Sequence, residues 1–99
     1  MQIIRRYVDR ISEELRDAQH YGEKYVEWKA RGNSGNANRY REMANDELKH
    51  AMFLHDMALA EIEELRRVYQ PPVSMQEAWE KCHAEYVEKT ATLRQILSM

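Results

Sequence analysis

The sequence predicts an all-α protein, a long antiparallel helical hairpin followed by a third, C-terminal helix. Three observations carry that reading. Glycine and proline are scarce, three and two among 99 residues, and most of them fall at two places, Gly32 to Gly35 and Pro71-Pro72. Between those places apolar residues recur at steps of three and four, the spacing of one face of a helix. The composition is dominated by Ala, Leu, Glu, Lys, Arg and Met, which favour helix, whereas strands would need more Val, Ile and Thr.

The first helix is expected over about residues 2–30. Tyr7, Ile11, Ala18, Tyr21, Tyr25 and Trp28 form its apolar seam, and Glu14 occupies a seam position between Ile11 and Ala18. Glu13, Asp17, His20, Lys24 and Glu27 lie opposite. Arg31-Gly-Asn-Ser-Gly-Asn36 is rich in turn formers and ends the helix. The second helix is expected over about residues 36–69, with Tyr40, Ala44, Ala51, Leu54, Ala58, Leu65 and Val68 on its seam and Met43, Met57 and Ile62 widening it. Glu47 and Glu61 stand on that seam, and His50 follows Glu47 by one turn. Pro71-Pro72 cannot continue the helix. The third helix is expected over residues 75–97, with Ser74 as N-cap, Glu77 completing a capping box, and Val73 with Ala78 as staple. Met75, Trp79, Cys82, Tyr86, Leu93 and Leu97 face inward. The first two helices are each near thirty residues, roughly 45 Å at 1.5 Å per residue, and the short link makes them antiparallel neighbours.

The same composition restricts function. A chain of 99 residues is one domain with a modest core, which self-association would enlarge. The formal charge is −2 with both signs interleaved, so the basic stripe that neutralises phosphates is missing and no nucleic-acid partner is expected. Cys82 is the single cysteine, which rules out an internal disulfide and a Cys-rich zinc or iron–sulfur site. No apolar run reaches signal-peptide or membrane-span length, so no membrane partner is expected and a cytoplasmic location is the default.

The residues that point to chemistry are Glu14, Glu47 and His50. A carboxylate on an apolar seam costs several kcal/mol unless it is paired, protonated or bound to a cation. Glu14 and Glu47 lie at similar distances from the turn, so an antiparallel hairpin brings them level. Glu-x-x-His places a carboxylate and an imidazole on one face, and the set of three suits iron, manganese or zinc. Di-iron carboxylate bundles use one Glu from each of two helices and Glu-x-x-His from each of the other two. This chain holds half of that set on two helices. A homodimer, or a higher homo-oligomer, forming a four-helix bundle would supply the rest.

Glu14-Leu-Arg-Asp-Ala-Gln-His-Tyr21 followed by Ala44-Asn-Asp-Glu47-Leu-Lys-His50-Ala51 resembles the first half of a rubrerythrin or other ferritin-like protein, over about residues 7–66. The two-helix form is similar to the encapsulated ferritins, which build a di-iron centre across a dimer. The resemblance implies an up-down bundle, metal ligation by Glu14, Glu47 and His50, and ferroxidase-type oxidation of Fe(II) with oxygen or peroxide. The four-cysteine module that passes electrons in rubrerythrins is missing, and Leu93–Met99 lacks the tail that addresses encapsulated ferritins to their shell.

Other residues invite weaker readings. Glu80 and His83 repeat the Glu-x-x-His spacing and are expected to be a surface pair. His55 points away from the Glu47 face and is expected on the helix surface. Glu61 is expected to pair with Arg10 or Arg6 across the hairpin. The alternative function is a non-catalytic helical oligomerisation module, or a bacterial or phage accessory protein that keeps the ferritin-like fold.

Overall fold

The computed structural model describes residues 2–68 and 70–99, and these form three helices with no strand among them: α1 (Gln2–Ala30), α2 (Ser34–Val68) and α3 (Val73–Leu97). The all-α class and the three expected segments are therefore present. The molecule is a rod with extents of 55 × 18 × 17 Å, matching the roughly 52 Å length of a 35-residue helix such as α2. α1 and α2 form an antiparallel pair. α3 returns alongside α1 in the same direction, since Met75 sits by Ile4 and Val8 at one end and Lys29 Nζ donates to the Met99 carbonyl at the other. α3 leans mainly on α1 and meets α2 over a much smaller area.

The hairpin turn explains why α2 begins two residues earlier than expected. Gly32 takes φ +76°, the left-handed conformation that favours glycine. Asn33 then caps α2: its Oδ1 accepts from the Asn36 N–H at 3.0 Å and its carbonyl accepts from the Ala37 N–H. At the far end, the expected final residue Tyr69 lies outside the described residues, and α2 is described to Val68. α3 also departs from expectation. It starts at Val73 with Pro72 as N-cap and no side-chain capping bond, so Ser74 does not cap it. Pro72, at ψ 146°, is already extended, and its carbonyl accepts from the Met75 and Gln76 N–H groups. The helix therefore nucleates directly behind the proline, ahead of Ser74. Val73 and Ala78 are both exposed and form no buried staple.

Ile11, Ala18 and Tyr25 of α1, Ala44, Ala51, Ala58 and Ile62 of α2, and Met75, Trp79, Cys82, Leu93 and Leu97 of α3 are buried as expected, while the remaining column of the α1–α2 seam is displaced. On α1 the buried residues are Ile4, Ile11, Leu15, Ala18, Gly22 and Tyr25, with Val8 half-buried in the same row. On α2 they are Ala37, Ala44, Leu48, Ala51, His55, Ala58 and Ile62. The expected seam residues Tyr7, Glu14, Tyr21 and Trp28 form the half-buried margin of α1, and Tyr40, Glu47, Leu54 and Glu61 form that of α2. Val68, expected on the seam, is 76% exposed. α3 is the reason for the shift. It covers the flank of α1 that carries Leu15 and Gly22, so the centre of burial moves toward it. The approach at Gly22 is close, because a Cβ there would meet Leu93 Cδ2 at 2.9 Å. Four alanines with no exposed surface, Ala18, Ala44, Ala51 and Ala58, let α1 and α2 pack tightly.

Ile11 sits in the middle of this core with no exposed surface. Ile11→Ala removes three buried carbon groups and leaves a cavity, so it lowers stability by about 2–5 kcal/mol. In a domain this small that is a large share of the total. Urea denaturation of the two proteins checks it, with the expected effect a fall in the midpoint at unchanged slope.

Candidate metal centre

Glu14 is held on the margin of α1 by its heptad position between Ile11 and Ala18, and Glu47 holds the matching position on α2 between Ala44 and Ala51. Because the helices are antiparallel and joined by a tight turn, the two positions face each other. His50, one turn after Glu47, completes the group. One ligand atom from each of Glu14, Glu47 and His50 lies within 4.8 Å of the others. His50 Nδ1 is 3.5 Å from Glu14 Oε2 and 3.9 Å from Glu47 Oε2. The carboxylates are mostly covered, with 13% and 21% of their side-chain surface exposed, while His50 is open at 55%. The structure brings together all three residues singled out in the sequence.

Glu14 and Glu47 shift each other's titration in opposite directions. A hydrogen bond from Glu47 is the largest influence on Glu14 and holds its carboxyl below the usual range; Arg10 and His50 act in the same direction, against the effect of burial. The same bond, followed by burial and the Glu14 charge, pushes Glu47 up to about 7. Two carboxylates this close cannot both ionise cheaply, so the second proton loss from the pair, placed on Glu47, is delayed to about pH 7.

Arg10 is the neighbour that the sequence assigned elsewhere. It was one of two arginines, with Arg6, expected to pair with Glu61, but its guanidinium instead lies 3.5 Å from Glu14 Oε1 and 3.9 Å from Glu13 Oε2. Among the described residues no ion pair joins Glu61 to Arg6 or Arg10. The signal was the i,i+4 spacing of Arg10 and Glu14 on one helix, which competes on better terms than a pair across the hairpin.

The centre opens onto a concavity of about 290 Å³ lined by Arg10, Glu14, His50, Phe53, Leu54 and Met57. A second hollow continues past Arg10 to Ile3, Arg6 and Tyr7. α3 contributes no residue to either. Phe53 and Met57 are 54% and 48% exposed, so the ligands stand in a partly apolar, uncovered face. Met43 is 40% exposed on the same helix. Met43 and Met57 were expected to widen the buried seam; they lie outside it, one step beyond the half-buried margin.

Two further expectations are corrected, and one holds. His55 is buried at 7% exposure, not on the surface. It follows His50 by five residues, about 140° around a helix of 3.6 residues per turn, which aims it at α3. His83 does not form a surface pair with Glu80; its Nδ1 lies 2.7 Å from His55 Nε2. The missed signal for His55 was its place in the row Ala44, Leu48, Ala51, His55, Ala58, Ile62, which alternates steps of four and three. Cys82 is buried as expected, and burial, with Glu85 adding to it, pushes its thiol up to about 11, so it is an unreactive core group.

No helix of the described residues is long and apolar enough to cross a membrane. No family model, curated protein or solved structure matches this chain.

Proposed function

We propose that the chain is a ferritin-like metal protein, with Glu14, Glu47 and His50 holding iron at a centre completed by a second copy of the chain. The convergence of two carboxylates and an imidazole within 4.8 Å carries this reading. The donor set fits the group: hard oxygens with one borderline nitrogen suit Fe(II), manganese or zinc and disfavour soft copper(I). The elevated Glu47 pKa supports it as well, because a divalent ion would relieve the repulsion that now traps a proton there.

Three protein ligands from one chain leave a metal exposed on one side. The exposed Phe53 and Met57 beside the ligands are the kind of surface that a two-fold partner covers, and the partner would bring a second Glu14, Glu47 and His50 to the same place. Iron held there would supply electrons to oxygen or peroxide. The chain's own groups then have three tasks. Glu14 and Glu47 would anchor the ion, Glu47 would give up its proton on binding, and Arg10 would steady Glu14 through its contact at 3.5 Å.

A second reading has its own support, since Arg10, His50 and the Glu14–Glu47 hydrogen bond together satisfy both carboxyl groups without any metal. The chain would then be a helical oligomerisation module. Metal analysis of protein produced with iron separates the two. The proposal expects about one iron per chain, lost in Glu47→Ala, and a melting temperature that rises with added Fe(II) by mass action. A folded wild type that takes up no iron sinks it.

A further inference from the structure

We propose that the trough between α1 and α3 binds a free long-chain monocarboxylate, with Lys89 holding the carboxylate and the alkyl chain lying along the trough. The hollow measures about 440 Å³, a size typical of small-ligand sites. Gly22 and Val26 of α1 and Leu93 and Ile96 of α3 supply its apolar surface. A further hollow of about 270 Å³ shares Val26 and Ile96 with it and carries on to Tyr25, Ala30 and Met99. Together the two follow α1 from Gln19 to Ala30, about 16 Å at 1.5 Å per residue. The space is long, narrow and mostly apolar, which is the shape of an alkyl chain.

Lys89 gives the trough a head end. α3 runs parallel to α1 at an offset of about 70 residues, as Lys29 and Met99 show, so Lys89 is level with Gln19, at the end away from Ala30. Lys89 is half-buried, and among the described residues no carboxylate pairs with its ammonium. Lysines that lose most of their exposure are normally paired. The lysine at the other end, Lys29, is already engaged: its Nζ donates to the Tyr25 hydroxyl and the Met99 carbonyl. Lys89 is therefore the cation left for a ligand.

One ammonium balances one negative charge, which suits a monocarboxylate. A phosphate monoester carries nearly two and would be left short, because Glu23 and Glu88 also border the trough. Both of those carboxylates are exposed, so water and salt screen them from a singly charged head. Beyond the head, an alkyl chain would cover Val26, which is 46% exposed. Gln19 and Val26 lie about 140° and 120° round α1 from Glu14 at 3.6 residues per turn. The trough thus opens on a different face from the Glu14 centre, and its filling does not depend on iron.

Calorimetric titration of the metal-free wild type with octanoate, decanoate and dodecanoate, each below its micelle concentration, tests the proposal. One ligand per chain is expected, with affinity rising about fourfold for each added methylene. Lys89→Gln should weaken decanoate about tenfold and leave decanol within about twofold of the wild type, while Lys89→Arg should restore decanoate binding. Val26→Glu, a change at an exposed position, should weaken both ligands about tenfold or more, and circular dichroism checks that each variant keeps the fold. Affinity that does not grow with chain length, decanoate binding unchanged in Lys89→Gln, or binding that survives Val26→Glu overturns the proposal. So does decanol binding as tightly as decanoate, which would leave the trough to an apolar segment of a protein partner. No metal is added and Glu14 and Glu47 are untouched, so this reading and the iron reading fail independently.

Discussion

Glu47→Gln should stabilise the metal-free protein at pH 8 by roughly 1–3 kcal/mol and leave it nearly unchanged at pH 5. The sign follows from the direction of the Glu47 shift. Its pKa rises from 4.5 to about 7 on folding, so between those values the folded chain keeps a proton that the unfolded chain releases. The resulting stability is complete below pH 4.5 and is lost as pH climbs through 7. Glu14 moves the other way: its contribution is present above pH 4.5 and is lost as pH falls through its lower folded value. Wild-type stability should therefore decline from about pH 5 to pH 8, and the glutamine variant, which cannot ionise, should flatten that slope. Urea melts at four pH values measure it, and a wild-type profile as flat as the variant's rules out the Glu47 shift. The same proton governs metal uptake. An ion that displaces one proton binds about tenfold more weakly for each pH unit below 7, so iron affinity in the wild type should carry that slope.

The Glu14–Glu47–His50 cluster was more legible in the sequence than the displaced part of the core, for a physical reason. Glu14 and Glu47 are conspicuous because carboxylates interrupt rows of apolar residues, and their similar distances from the Gly32 turn bring them roughly level. One column of the core, Ile11, Ala18 and Tyr25 with Ala44, Ala51 and Ala58, is where the sequence places it, and the column beside it is displaced. On α1 the rows 7/14/21/28 and 4/8/11/15/18/22/25 are adjacent and both rich in apolar groups, and the large aromatics Tyr7, Tyr21 and Trp28 gave the first row more weight than its burial warrants. Choosing between the rows requires knowing where α3 packs, and that depends on contacts between residues far apart in sequence, such as Gly22 with Leu93. His55 shows the same dependence. A histidine in a row of alanines reads as a surface residue until a partner from α3 is there to hold its Nε2. Local chemistry also decided the start of α3, where Pro72 outcompeted Ser74 as the cap.

That displaced row has a consequence for assembly. Tyr7, Glu14, Tyr21 and Trp28 of α1 and Tyr40, Glu47, Leu54 and Glu61 of α2 are all half-buried, neither core nor free surface. With Met43, Phe53 and Met57 outside them, they make a continuous face that α3 does not cover in the hollows beside Glu14 and His50. Phe53→Glu distinguishes the proposed dimer from a monomer that merely shows this face to water. In a monomer, a change at a residue 54% exposed alters stability within about 0.5 kcal/mol and leaves mass and iron content alone. In the dimer it places a charge in an apolar contact, costs about 2–4 kcal/mol of association, and weakens dimerisation at least about 30-fold. Sedimentation equilibrium should then show a dimeric wild type and a monomeric variant at the same concentration. Iron retained per chain should fall in step, because the monomer keeps three ligands where the dimer offers six around a shared centre. A Phe53→Glu protein that sediments like the wild type and holds as much iron leaves the centre to a single chain, with His50 and water completing it in place of a partner.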